Sequence, residues 1–188
     1  MIPHLRKTEN LAPLRPDRAA LHEIACAYAE EQFKLKGGCD ATWLVAVGPQ
    51  VAWIETPFDG VRDKQQTTFM IRGVLAATGA QAYSYVTEAF VAAVAGMPPG
   101  EVKKWLAFAN EHGVSALPEK MREDVLMVFT HDRAGGTSIT RYLVTMRRGK
   151  GPNFLGPRVD ETDPATGMAG PMFNLFAPER PLEDYDAS

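Results

Sequence analysis

Residues 124–130, DVLMVFT, run into the turn HDRAGG, and the chain returns through TSITRYLVTM at 137–146. An apolar run without alternation predicts a central strand covered on both faces. The β-branched return, joined to it by a glycine-rich turn, predicts an antiparallel partner. No other segment constrains the fold as much, because a chain holding this pair must build a sheet.

The remaining elements are read from period and punctuation. Pro16 suits the entry to a helix, where its missing N–H costs little. From there Leu21, Ile24, Tyr28 and Leu35 recur at helical spacing, and Gly37-Gly38 closes the segment. Residues 42–47 and 51–56 are short β-rich runs around Gly48-Pro49-Gln50, a hairpin signal. Asp63 offers a cap to a second helix carrying Met70, Ile71, Val74 and Leu75 and ending at Gly79. Residues 81–94 read as strand at least through Glu88, and periodicity does not arbitrate beyond that point. Past Pro98-Pro99, the residues Val102, Trp105, Leu106 and Ala109 predict a short amphipathic helix inserted at a sheet end.

The order is therefore αββαβ(α)ββ. Hairpin connections make the class α+β, with a mainly antiparallel five-stranded sheet and the first two helices on one face. Residues 1–16 hold three prolines and no apolar period, which predicts an extended leader before a domain at 17–146. Composition then shifts: 11 of the chain's 30 glycines and prolines fall in the last 42 of its 188 residues. That density opposes helix and central strand alike. Yet Phe154, Leu155, Met172, Phe173, Leu175 and Phe176 punctuate the stretch, which predicts an extended C-terminal arm whose anchors pack on a surface. An exposed sheet edge invites aggregation, and the arm or a second subunit is its expected cover.

Charge and composition exclude several classes. A formal net charge of -3 argues against a dedicated nucleic-acid binder. Uncharged stretches reach 15 residues at most, at 73–87, too short for a bilayer span. The N-terminus lacks an apolar secretory core, so a cytoplasmic location is expected. Cys26 and Cys39 are too few for a disulfide framework or a thiolate zinc site.

Two stretches, GVLAATGAQAYSYVTEAF and DVLMVFTHDRAGGTSITRYLV, together resemble a small, functionally uncharacterised bacterial and phage-associated α+β family. That family has a helix ending in TGA-like residues, a strand near "VSEAW" and a "V…EDRDGG" hairpin. Here Val86-Thr87-Glu88-Ala89-Phe90 and His131-Asp132-Arg133-Ala134-Gly135-Gly136 hold those places, with Phe90 where the family has tryptophan. The resemblance covers roughly residues 41–146. It implies the fold and lends no activity.

Three groups of residues are candidates for chemistry. Glu88 interrupts an apolar strand, as a buried general base or metal ligand would, or as a carboxylate paired to an arginine such as Arg141 would. His131-Asp132 sits at the end of the central strand and offers an imidazole beside a carboxylate. Neighbours on a strand point to opposite faces, however, and an aspartate entering a turn commonly bonds its own backbone. The four histidines show no HxH or HExxH spacing, so no metal site is expected. Arg141, Arg147, Arg148 and Lys150 form a basic strand end able to grip phosphates. Trp105, Phe154, Phe173 and Phe176 belong to an aromatic set outside the regular strands, a composition enriched at interfaces.

The expected role is a non-catalytic module without cofactor that self-associates or binds another protein. Two alternatives stand beside it. One is a small hydrolase-like enzyme, metal-assisted, using Glu88, His131 and Asp132. The other is an anion or nucleic-acid binder acting through the basic stretch 141–150.

Overall fold

The computed structural model describes residues 17–56, 61–94, 96–145, 153–161 and 175–176. Helix α1, Arg18–Lys36, starts where the Asp17 carboxylate accepts the Ala20 N–H at 2.7 Å. It stops at Gly37, whose φ of 71° lets its N–H reach the Phe33 carbonyl. Strands β1, Thr42–Val47, and β2, Gln50–Glu55, follow. Their turn holds only Gly48-Pro49, because Val47 pairs with Gln50, so Gln50 joins the strand rather than the break. Helix α2, Val61–Thr78, leads into β3, Ala82–Ala92, which continues past Glu88 as strand.

Helix α3, Pro99–His112, and two 3-10 turns at Val114–Ala116 and Glu119–Met121 form the insertion. Ala109, Leu117 and Met121 make a small cluster of their own there, with Ala92, Trp105 and Phe108 packed against it. The central hairpin is β4, Arg122–Asp132, and β5, Thr137–Thr145. A last strand, β6, Phe154–Asp160, comes from the arm. Among the described residues the strands form one antiparallel sheet in the order β2-β1-β3-β4-β5-β6. No helix among them is long and apolar enough to cross a membrane.

Two expectations are corrected. The sheet has six strands, not five, because glycine and proline oppose a central strand but not an edge strand with a bulge. Leu155 pairs with Val144 and Arg158 with Tyr142, so one extra residue is spent at Gly156-Pro157, where proline has no N–H to lose from the ladder. The arm thus covers the outer edge of β5 in cis.

The first two helices, moreover, lie on opposite faces. Leu21, Ala25, Ala29 and Phe33 of α1 pack with Leu44 and Ala46 of β1, whereas Ile71 and Leu75 of α2 pack with Trp43 and Val45. Alternating side chains of one strand point to opposite faces, so a β1 buried throughout its first five residues demands a layer on each. The leader at 1–16 lies outside the described residues.

Candidate functional site

The densest set of polar side chains lies under the N-terminal half of α1. Helical spacing sets His22 beside Leu21, Ala25 and Cys26 on the face turned to the sheet. It lies over three strands that supply buried hydroxyls to that face: Ser84 of β3, Thr130 of β4 and Thr140 of β5. The His22 Nδ1 atom lies 2.7 Å from Thr130 Oγ1, and Nε2 lies 2.8 Å from Thr140 Oγ1. Ser84 Oγ lies 2.6 Å from Thr130 Oγ1, and Thr140 donates to Asp160 Oδ1 of β6.

The acceptor at one end orients the whole line. Arg158 Nε donates to Asp160 Oδ1 at 2.8 Å and, with Thr140, holds that carboxyl below the usual carboxylate range. An ionised carboxylate only accepts, so the Thr140 hydrogen is committed to it. Thr140 must then accept from His22 Nε2–H. The neutral ring leaves Nδ1 as acceptor, so Thr130 donates to His22 and Ser84 donates to Thr130. Burial keeps the ring neutral by lowering its pKa, and the Arg158 charge adds to that.

The rim of this network is charged. Arg158 forks onto Glu23 of α1, with Nη1 to Oε2 at 2.7 Å and Nη2 to Oε1 at 2.6 Å, and the guanidinium lowers the Glu23 pKa. At the start of α1, Arg18 reaches Asp132 at 3.2 Å and Ser138 at 3.1 Å. That reach requires Gly136, since a Cβ there would fall 1.4 Å from Arg18 Nη1. The network fastens α1, β5 and β6 together. It offers no reactive group to a substrate, because Ser84, Thr130 and Thr140 are fully buried.

The structure does not bring the candidate catalytic residues to one point. His131 points to the α2 face, 3.0 Å from Thr137 Oγ1 and ring-stacked between Phe129 and Phe176. Asp132 points to the α1 face, where it takes Arg18 and accepts the Gly136 N–H at 2.8 Å. Glu88 shares that face but pairs in register with Leu126, six residues along the sheet from Asp132, a separation of about 20 Å. The Glu88 carboxylate is exposed and accepts the Cys39 N–H at 2.6 Å just beyond α1. It is not paired with Arg141, which points to the other face and binds Glu161 at 2.9 Å. Cys39 is held as thiol, its pKa pushed up to about 12 by burial and then by the Glu88 charge. No group of three or more metal-ligating side chains occurs among the described residues.

The other candidates are scattered. Arg147, Arg148, Lys150 and Phe173 lie outside the described residues. Trp105 is half-buried on α3, edge-on to Phe108. An open apolar depression of about 660 Å³ lies beside α3, lined by Met97, Val102, Lys103 and Leu106. It touches neither Glu88 nor His131. Phe176 packs in cis against Tyr83 and His131 with the Arg133 guanidinium over its ring, and the neighbouring Leu175 N–H donates to the Tyr83 hydroxyl.

Phe154, in contrast, is 46% exposed. It stands on the α2 face of β6, opposite Thr145, and Val159 stands on the same face opposite Arg141. Leu143 lies between them on β5. Leu143 and Val159 are 44% and 42% exposed, so three apolar side chains at the β5–β6 margin face outward together. The buried cluster that α2 shares with the sheet extends to Met127 and Phe129 of β4 and Ile139 of β5 but includes none of Leu143, Phe154 and Val159.

Sequence reasoning singled out Phe154 but not its two companions, and it passed over His22. The signal was a histidine on an apolar helical face, together with lone hydroxyls in apolar strands. Only the strand register shows that they meet. Comparison of the chain with protein-family models, with curated proteins and with solved structures found no match.

Proposed function

We propose that this chain is a non-catalytic module that self-associates through the α2 face of β5 and β6. The observation that carries the reading is the outward-facing trio Leu143, Phe154 and Val159. Apolar groups clustered on one exposed surface gain by being covered. A second copy is the fitting cover, because the patch is flanked by both members of an ion pair, Arg141 and Glu161. A two-fold contact sets the same patch against itself, so each copy presents to the other both a cation and an anion.

Size-exclusion chromatography with light scattering on the full chain tests this. The expected result is a concentration-dependent dimer that Leu143→Lys converts to monomer, with thermal stability unchanged because the side chain is already half in water. A wild-type chain that stays monomeric at every concentration overturns the reading. So does a Leu143→Lys variant that dimerises as before.

A further inference from the structure

The line Ser84–Thr130–His22–Thr140–Asp160 runs in a single direction and ends on a strand at the sheet margin. We propose that His22 is an acid-sensitive latch for β6: the neutral ring completes the line that holds β6 against α1 and β5, and proton uptake at Nδ1 breaks the line at its Ser84 end and leaves a buried cation that an opening of β6 relieves. Besides the backbone ladder and the Arg141–Glu161 ion pair that ties its end to β5, four contacts dock β6. Thr140 donates to Asp160, Arg158 forks onto Glu23, Leu155 enters the core beside α1, and Asn153 Nδ2 donates to the Gly37 carbonyl at 3.1 Å. The bulge at Gly156-Pro157 interrupts the ladder itself.

A proton arriving at Nδ1 turns an acceptor into a donor. Nδ1–H then donates to Thr130 Oγ1, Thr130 must turn its own hydrogen toward Ser84, and the Ser84 hydrogen loses its acceptor in a fully buried position. The charged groups around the ring are already engaged. On α1, Arg18 binds Asp132 of β4, and Glu23 binds Arg158. On β6, Asp160 is held by Arg158 and Thr140. Cys26 of α1 is a buried thiol, and Tyr142 of β5 donates to Glu30 at 2.7 Å. The new cation thus gains no free carboxylate. Lifting the marginal strand is the smallest opening that gives it water, because β6 has only one neighbour in the sheet among the described residues.

The direction with pH follows. The folded-state pKa of His22 lies below its ordinary 6.5, so below that pH the open state binds more protons than the closed one. The latch is intact above 6.5 and weakens as pH falls through 6.5 toward the folded value. Glu23 and Asp160 do not share this window, because Arg158 lowers both from ordinary values of 4.5 and 3.8.

Amide hydrogen exchange on the full chain, corrected for intrinsic rates, tests the latch. Between about pH 7.5 and about pH 5.5, protection across residues 154–160 should fall, with about tenfold as the ceiling that one proton bound only in the open state sets. The β3–β4 pairing serves as the internal control and should not change. His22→Gln, which cannot take up the proton, should abolish the pH dependence. Equal protection at both pH values, or the same fall in His22→Gln, overturns the proposal. Should that variant not fold, ¹⁵N spectroscopy of the wild-type ring decides. The Nε2–H tautomer with a midpoint below 6.5 supports the latch, and the Nδ1–H tautomer or a midpoint at or above 6.5 sinks it.

Phe154 and Val159 ride on β6, so its release would also dismantle the self-association patch. That consequence rests on the proposed function. Exchange reads β6 in monomer and dimer alike, whereas light scattering reads association alone, so failure of one is distinguishable from failure of the other.

Discussion

Beneath α1 the central strands present hydroxyls, Ser84, Thr130 and Thr140, while beneath α2 the sheet presents rings, Trp43, Tyr83, Tyr85 and Phe129. On the ring side, Trp43 stacks on Tyr85 at 4.2 Å between centroids and lies 5.8 Å from Tyr83, with its Nε1–H donating to Thr56 at 2.9 Å. That layer is held by area and shape, and it tolerates small shifts. The hydroxyl side is held by direction, and each group has a fixed donor or acceptor role toward its partners. The difference separates cohesion from registration. Rings supply most of the burial, whereas hydroxyls fix how α1 and β6 sit over β3, β4 and β5.

The largest test of this contrast is Trp43→Ala. Removing a fully buried indole from the ring layer should cost about 3–5 kcal/mol in urea unfolding. A loss below about 1 kcal/mol would show that the layer is not the main source of cohesion. Thr140→Val should come next, at about 1–3 kcal/mol, because it leaves the His22 Nε2–H buried without an acceptor. The sharper form of that test replaces the line as a unit. Ser84→Ala, Thr130→Val, His22→Leu and Thr140→Val combined should cost less than the sum of the four single changes, since no orphaned donor then remains. Additive losses would show that the hydroxyls act separately rather than as one line. Glu23→Gln should be the smallest effect, about 0.5 kcal/mol and vanishing at high salt, because the pair with Arg158 sits at the solvated rim. A loss that persists at high salt would move that pair from the rim into the seam.

Much of this fold was legible in the residues. The DVLMVFT strand is one of the two middle strands of the sheet and pairs with its antiparallel return, as an apolar run and a glycine turn require. Gly37 closes α1 by a mechanism that is local and therefore visible, whereas the Asp17 cap was passed over in favour of Pro16. What depends on alignment between distant segments was not legible. TWLVA in β1 carries the same unbroken apolar signature as β4, and reading it the same way would have sent α1 and α2 to opposite faces. The arm's strand was hidden because Gly156 and Pro157 punish helix and central strand, yet a marginal strand absorbs both in one bulge. At the candidate sites, adjacency in sequence worked against proximity in space. His131 and Asp132 are neighbours in the chain and face away from each other, while His22 and Asp160 are 138 positions apart and joined through a single hydroxyl. Hydrogen-bond geometry across strands depends on register, and register is set by the whole sheet.

The proline in the bulge of β6 has a consequence for what an assembly of this chain can look like. A regular strand at that position would let copies add on edge to edge without limit, growing one long ribbon. Pro157 interrupts that template. If the chain self-associates as proposed, contact at this border would fall on the broad side of the sheet, and a two-fold pairing there would use up both surfaces and give a closed pair rather than a filament.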